Sequence, residues 1–330
     1  MRQKLILIAI IVLVLAEFWQ CSRKPSEPLS AEMEQELALL PSAAAGLGYL
    51  NIKSIKESPF FSMVKQNLEE NPFYSDDYEE FMEATGLDIR RDIDEIYLSV
   101  NPGSESDENG LFVLVKGTYQ SEKIMDYIMK SCEDEGKELV SENYAEQTIY
   151  NLPEEDFSIC FTDKNRLLFG NKIQIKTWLD KFSERTPPSL EIALQERIRS
   201  VRYKNEGWLN IDPREMLAEM REEIGHHNWE DRFDALESLQ NMNASVKFDD
   251  KMKFHGIGQF SDPEKAQLFH DALKGLIATA KLSVSKDRKA VDVLNKIQTH
   301  SKGKEIRIEF EMSKEDIDKL RREKEEIAIL

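Results

Sequence analysis

Three groups of side chains in this 330-residue chain could do chemistry by their types and spacing. His226-His227, followed by Glu230 and Asp231, gathers two imidazoles and two carboxylates in a short span, a ligand set that suits zinc. Ser104-Glu-Ser-Asp-Glu-Asn-Gly110 is rich in oxygen donors, the chemistry of calcium. Cys132 and Cys160 could pair in an oxidising compartment. Each group also has a structural reading. Gly225 suits a helix end, Asn228 suits the N-cap of the next helix, and Glu230 and Asp231 would complement its dipole, leaving the histidines in a connector. Adjacent side chains converge on one ion only if the fold supplies a third ligand. The acidic stretch lacks the alternating ligands and closing Glu of an EF-hand, and Asn109-Gly110 before an apolar strand is a turn signal. Met125, Ile128, Met129 and Cys132 share one helix face, whereas Cys160 points away from Phe157, Ile159 and Phe161 on its strand. If the helix covers the phenylalanine face, the two sulfurs fall on opposite sides of the sheet and do not bond.

The remaining motifs carry no reaction. There is no Gly-x-Ser-x-Gly elbow, no P-loop and no His-Glu-x-x-His helix. Gly256-Ile-Gly258 lacks the third glycine of a dinucleotide loop and lies inside a strand, as a small-residue site where a helix approaches the sheet. Asn71-Pro-Phe-Tyr-Ser-Asp-Asp-Tyr-Glu-Glu-Phe81 interleaves aromatics with acids and reads as a helix start whose rings turn inward. Asn51 and Asn210, at matching places in two strands, are expected to make structural hydrogen bonds. No catalytic residue, metal or cofactor is expected, with His226, His227 and Glu230 the weak metal candidates.

Composition narrows the class. The 62 acidic residues against 44 Lys and Arg give a net charge of −18, which disfavours a nucleic-acid or anionic-membrane surface. A hydrophobic fraction of 41% supports a packed core, and a mean hydropathy of −0.51 excludes a multi-span membrane protein.

The N-terminus sets location. Arg2 and Lys4 precede an apolar run from Leu5 to Ala16, too short for a full span and closed by Glu17. Cys21 follows, then Ser22-Arg-Lys-Pro-Ser-Glu-Pro28. This layout resembles a bacterial lipoprotein signal. The resemblance implies a diacylated Cys21 as the mature N-terminus, stably held because two chains anchor where one does not. Gln20 and Phe18 depart from the small residue and the Leu that such signals carry at those places. The alternative is an uncleaved anchor from Leu5 to Trp19. Both place the folded part outside the cytoplasm at a membrane.

The body reads as α+β: two related lobes, each an antiparallel sheet with helices packed on one face. Residues 1–20 form the export signal, 21–29 the tether, 30–186 the first lobe and 187–330 the second, with Thr186-Pro-Pro-Ser189 as the break. Ser30 and Ser189 each suit an N-cap. The blocks Gly48-Tyr-Leu-Asn-Ile52 and Gly207-Trp-Leu-Asn-Ile211 follow them at a constant offset of 159 residues. A hairpin and then a helix come next in both: Tyr119-Gln-Ser-Glu-Lys123 and Phe260-Ser-Asp-Pro-Glu-Lys265 open those helices. The second helix carries Ala266, Phe269, Leu273, Leu276 and Ala280 as its expected inner stripe, with His270, Asp271 and Lys274 outside.

The run Thr85-Gly-Leu-Asp-Ile-Arg-Arg-Asp-Ile-Asp-Glu-Ile-Tyr97, the strand ending at Gly117, and Tyr119 with Glu122-Lys123 together resemble exported bacterial proteins of unknown function built from repeated α+β units. The similarity in organisation spans roughly residues 45–320 and implies no catalytic residues. The expected function is a membrane-tethered, non-catalytic binding or scaffold protein of the bacterial cell envelope. Its expected partners are the membrane, through the anchor, and a protein or other envelope component, and not nucleic acid. The alternative is an envelope hydrolase with an irregular site.

Overall fold

The computed structural model of the chain describes residues 28–41, 45–62, 76–100, 110–184, 189–214, 217–218, 235–285 and 287–317. The mixed α+β class with antiparallel sheet is observed. The described chain divides into compact units, Pro28–Glu196 and the part from Arg197 onward.

The first unit opens at Ser30, whose Oγ accepts the Met33 amide at 3.1 Å and caps α1 (Ala31–Leu39). Its strands are β1 (Gly46–Asn51), β2 (Ile93–Val100), β3 (Leu111–Gly117), β4 (Val140–Tyr144), β5 (Gln147–Leu152), β6 (Phe157–Phe161) and β7 (Arg166–Gly170). They lie in the order β1-β2-β3-β7-β6-β5-β4, each neighbour antiparallel. The helices are α2 (Ile52–Glu57), α3 (Asp76–Thr85), α4 (Ile89–Asp92), α5 (Ser121–Glu135) and α6 (Lys172–Ser183), with α7 (Ile192–Ile198) at the unit's end.

Both faces of this sheet are apolar. Tyr49, Tyr97, Leu114, Leu168, Cys160 and Ile149 are successive cross-strand partners over six strands, and all are buried. The opposite face carries Ile93, Val115, Leu167 and Ile159, packed with Leu87 and with Ile124 of α5. α1 and α6 cover the first face. α1 sends Glu32 and Glu36 to Lys116, two residues along β3 from Leu114. α6 joins α1 through Lys181, whose Nζ donates to Ala38 O at 3.2 Å and Leu40 O at 2.7 Å. The expected single helical layer is therefore corrected here to two. Strands such as Leu111-Phe-Val-Leu-Val115 do not alternate, and a strand apolar on both sides needs cover on both.

The run from Thr85 to Tyr97 is a connector built to close tolerance. Gly86 ends α3 with a left-handed φ of 72°, and Asp88 caps α4 by accepting the Arg90 amide. A register shift follows between Ile93 and Glu95. Gly117 pairs with Ile93 there, and a Cβ on it would stand 2.3 Å from Asp92 O, so only glycine fits.

The second unit has β8 (Gly207–Ile211), β9 (Leu239–Phe248), β10 (Lys251–Phe260), α8 (Pro263–Ser283), α9 (Arg288–Asn295), β11 (Gln298–Lys302) and β12 (Glu305–Ser313). The strand order is β11-β12-β10-β9-β8, all antiparallel. β12 alternates strictly. Ile306, Phe310 and Met312 are buried on one side, while Glu305, Arg307, Glu309 and Glu311 occupy the other. α8 and α9 cover the apolar side, where Phe254, Val293, Ile297, Phe310 and Met312 form one cluster and Leu239, Phe260, Ala266 and Ile306 another. The segment from Arg197 to Arg202 lies against the other side, through Arg197 on Asn210, Ser200 on Asn243 and Arg202 on Glu309. Gly256 and Gly258 make room not for a helix but for Phe254, Phe260 and Leu239, whose side-chain carbons lie 3.2–3.3 Å from where a Cβ would stand.

Tyr49 and Trp208 both sit in the opening strand of their unit, and in each unit a hairpin and a helix follow. Asp262 before Pro263, and Ser313 three residues before Asp316, are cap signals in the sequence, and both caps form: Asp262 Oδ1 accepts the Glu264 and Lys265 amides, and Ser313 exchanges bonds with Asp316. The sequence also reads as helical at 60–70, 213–224 and 229–240, after the two Gly-aromatic strands, and these stretches fall largely outside the described residues.

The α8 stripe is corrected by one position in each direction. His270, expected outside, is 5% exposed, and Leu276, expected inside, is 60% exposed. Ile277 packs in its place, since 273 to 277 is as good a helical step as 273 to 276. Leu273→Ala should cost about 2–5 kcal/mol, whereas Leu276→Ala should cost well under about 1. Urea denaturation of the two variants checks this, and equal midpoint shifts would contradict the assigned face.

Candidate functional site

Cys21, His226, His227 and Glu230 lie outside the described residues, as do Ser104 to Asn109. Among the described residues no group of three or more His, Cys, Asp or Glu is placed to hold a metal, and no helix is long and apolar enough to cross a membrane. Cys132 and Cys160 are both free and buried. α5 does cover the Ile159 face, so the two cysteines sit on opposite sides of β6, and burial pushes the Cys160 thiol up to about 12. Phe81 turns inward against Tyr127, with ring centroids 5.3 Å apart.

Both asparagines make structural bonds, by different means. Asn51 Oδ1 accepts the Ser54 amide and caps α2. Asn210 is fully buried: its Oδ1 accepts from Arg197 Nε at 2.7 Å, and its Nδ2 lies 2.8 Å from Asn243 Oδ1.

Two clusters emerge that motif reading did not find. The first joins α1 to the sheet. Lys116 Nζ lies 2.6 Å from Glu32, 3.1 Å from Glu95 and 3.4 Å from Glu36. Arg166 bonds Glu36 at 2.9 Å and Asp163 at 2.7 Å. Tyr49 donates to Glu95 at 2.8 Å, and burial together with that carboxylate raises its pKa. Burial alone would pull the Lys116 ammonium down, but the bond to Glu32 and the charge of Glu36 outweigh it and hold its pKa above the ordinary value. Glu36 Oε2 and Arg166 Nε are buried without a hydrogen-bond partner among the described residues. Chemically the cluster is a clamp. Lys116 and Arg166 oppose its carboxylates. Its residues run from 32 to 166 in the sequence, and the one local clue was a lysine at the end of an apolar strand.

The second cluster crosses the polar side of the second sheet. Ser245, His255 and Glu309 are cross-strand partners in β9, β10 and β12, all buried. His255 Nε2 lies 3.4 Å from Glu309 Oε1, and Arg202 Nη2 lies 3.3 Å from the same oxygen. Ser, His and Glu in a row are the types of a hydrolytic triad. Ser245 Oγ, however, has no hydrogen-bond partner among the described residues, so the imidazole does not engage it. Burial first, then the Arg202 and Arg307 guanidiniums, pull His255 down to about 3. His255 is therefore neutral near pH 7. The alternating polar residues of β12 were legible, but their partners on β9 and β10 required the register.

Each cluster makes a prediction. Lys116→Met should destabilise by roughly 3–5 kcal/mol because Glu36 stays buried beside one cation fewer. Adding Glu36→Gln should recover part of that loss, and a double-mutant cycle by urea unfolding reads the coupling. For His255, the unfolded chain takes a proton below about 6.5 while the folded chain resists until about 3. Stability should therefore fall as pH drops through that window, by on the order of 2 kcal/mol at pH 5. His255→Gln should lack this increment, and urea midpoints from pH 7 to 4.5 measure it.

No protein-family model matches the chain, and no curated protein matches it. Among solved structures, crystal form I of TP0453 aligns over 91% of this chain and 96% of its own, with a TM-score of 0.41 and 13% identity.

Proposed function

We propose that the chain is a membrane-tethered, non-catalytic binding or scaffold protein of the bacterial cell envelope, held through Cys21. The observation that carries this reading is the clamp on α1. The helix that directly follows the tether is fixed to the sheet by Glu32, Glu36, Lys116 and Arg166, and at its other end by Lys181 on Ala38 O and Leu40 O. A load on the tether is thus passed to the sheet through charge-assisted bonds, not through a frayed helix end. The partner class follows from the acidity of the chain, which favours a protein or another envelope component over nucleic acid. The common order of elements in the two units supports duplication of one ancestral unit.

The alternative, an envelope hydrolase, draws on one observation, the Ser245, His255 and Glu309 row. The unengaged Ser245 hydroxyl and the burial of all three disfavour it. A fluorophosphonate probe that labelled the wild type and not Ser245→Ala would select the hydrolase.

The test of the tether is metabolic labelling with a radioactive fatty acid. Wild type should take up label and sediment with membranes, and Cys21→Ala should lose the label. Equal labelling of the two would overturn lipidation at Cys21, and wild type found in the soluble fraction would overturn the tethered reading.

A further inference from the structure

α8 carries a second apolar stripe that nothing among the described residues covers. Its inner face packs on the sheet through Ala266, Phe269, Leu273 and Ile277. Its outer face presents Leu268, Leu276 and Leu282, which are 62, 60 and 74% exposed. Leu268, Ala272, Gly275, Thr279 and Leu282 recur at steps of four and three, the spacing of a helix-pairing seam. Thr279 turns its hydroxyl back to Gly275 O at 2.9 Å, so it adds no unpaired donor to the stripe.

Gly275 is the second observation. A glycine in the middle of a helix costs roughly 1 kcal/mol against alanine, and is kept where something must come close. Inside this fold it is not needed, since a Cβ there would meet nothing within 4 Å. Its place marks the centre of the stripe: Leu268 lies seven residues before it and Leu282 seven after. The two leucines are therefore placed symmetrically about Gly275, so each faces the other's counterpart when two such helices run in opposite directions.

Charge selects the same arrangement. The flank of the stripe runs Glu264, Gln267, Asp271, Lys274, Ala278 and Lys281, acids first and lysines last. Antiparallel pairing brings the acidic half of one copy toward the basic half of the other, whereas parallel pairing sets like beside like.

We infer that the outer stripe of α8 docks on the same stripe of a second copy of this chain, antiparallel and centred on Gly275. The contact is isologous, so it closes as a two-fold dimer. One helix stripe is smaller than the ~800 Å² per partner of a standard interface, so the pair is weak and is best captured covalently.

Crosslinking in the full chain, in native membranes or in detergent, tests the pairing. Leu268→Cys and Leu282→Cys are made as separate, differently tagged chains, with wild type setting the background. In the antiparallel pair Leu268 meets Leu282 of the other copy, while the two copies of position 268 stand about 21 Å apart. Mild oxidation should therefore join the unlike chains at least tenfold more strongly than it joins either variant to itself. Gly275→Leu in both chains should remove that product, while circular dichroism confirms that the helix is intact. Self-crosslinking equal to the mixed product would overturn the inference, as would an absent mixed product or one indifferent to Gly275→Leu. A fluorophore on Leu268→Cys that reports lipid contact, with no mixed dimer formed, would assign the stripe to the membrane and also overturn it.

Discussion

The first unit depends on keeping charge buried without leaving it unpaired. Glu36 is 3% exposed, and a carboxylate so placed is tolerated only beside a cation. Lys116 and Arg166 supply that cation from neighbouring strands, which pair with each other in register. The requirement runs both ways. β3 must stand where Lys116 reaches α1, and α1 must present Glu32 and Glu36 one turn apart. α6 must then lie beside α1 so that Lys181 can cap its last carbonyls. A nine-residue helix, too short to be stable alone, is thereby held by tertiary contacts at both ends.

The two sheets solve the same burial problem differently because their strands differ in period. In the first, apolar residues occupy both sides of β3, β6 and β7, so α5 covers one face and α1 with α6 the other. In the second, β12 alternates, and α8 and α9 cover only its apolar side. Its polar side is satisfied from within, by Arg202 on Glu309 and by Asn210 with Arg197 and Asn243. Burial that keeps His255 neutral is acceptable there because Arg202 already opposes the Glu309 charge.

α8 shows how one helix can belong to a fold and still offer a surface. Its inner stripe closes the core of the second unit, and its outer stripe sets Leu268 and Leu282 about a glycine that the fold does not need. An all-round apolar helix is usual where both sides are covered, and here one side is open.

The sequence by itself determined the α+β class, the caps at Ser30, Asp262 and Ser313, the strand blocks around Tyr49 and Trp208, and the opposite placement of Cys132 and Cys160. These follow from local physics, because a cap needs one side chain and one amide, and a strand face needs only its period of two. The tertiary structure decided what depends on register and cover. It gave the first sheet its second helical layer, since two-sided burial shows only when both partners are in place. It chose His270 and Ile277 over Leu276 for the inner face of α8, because steps of three and four are equally helical until a sheet selects between them. It assembled Glu36 with Lys116 and Arg166, and His255 with Glu309, from residues far apart in the chain. Ion pairs between distant strands have no sequence period, so only the fold could bring them together.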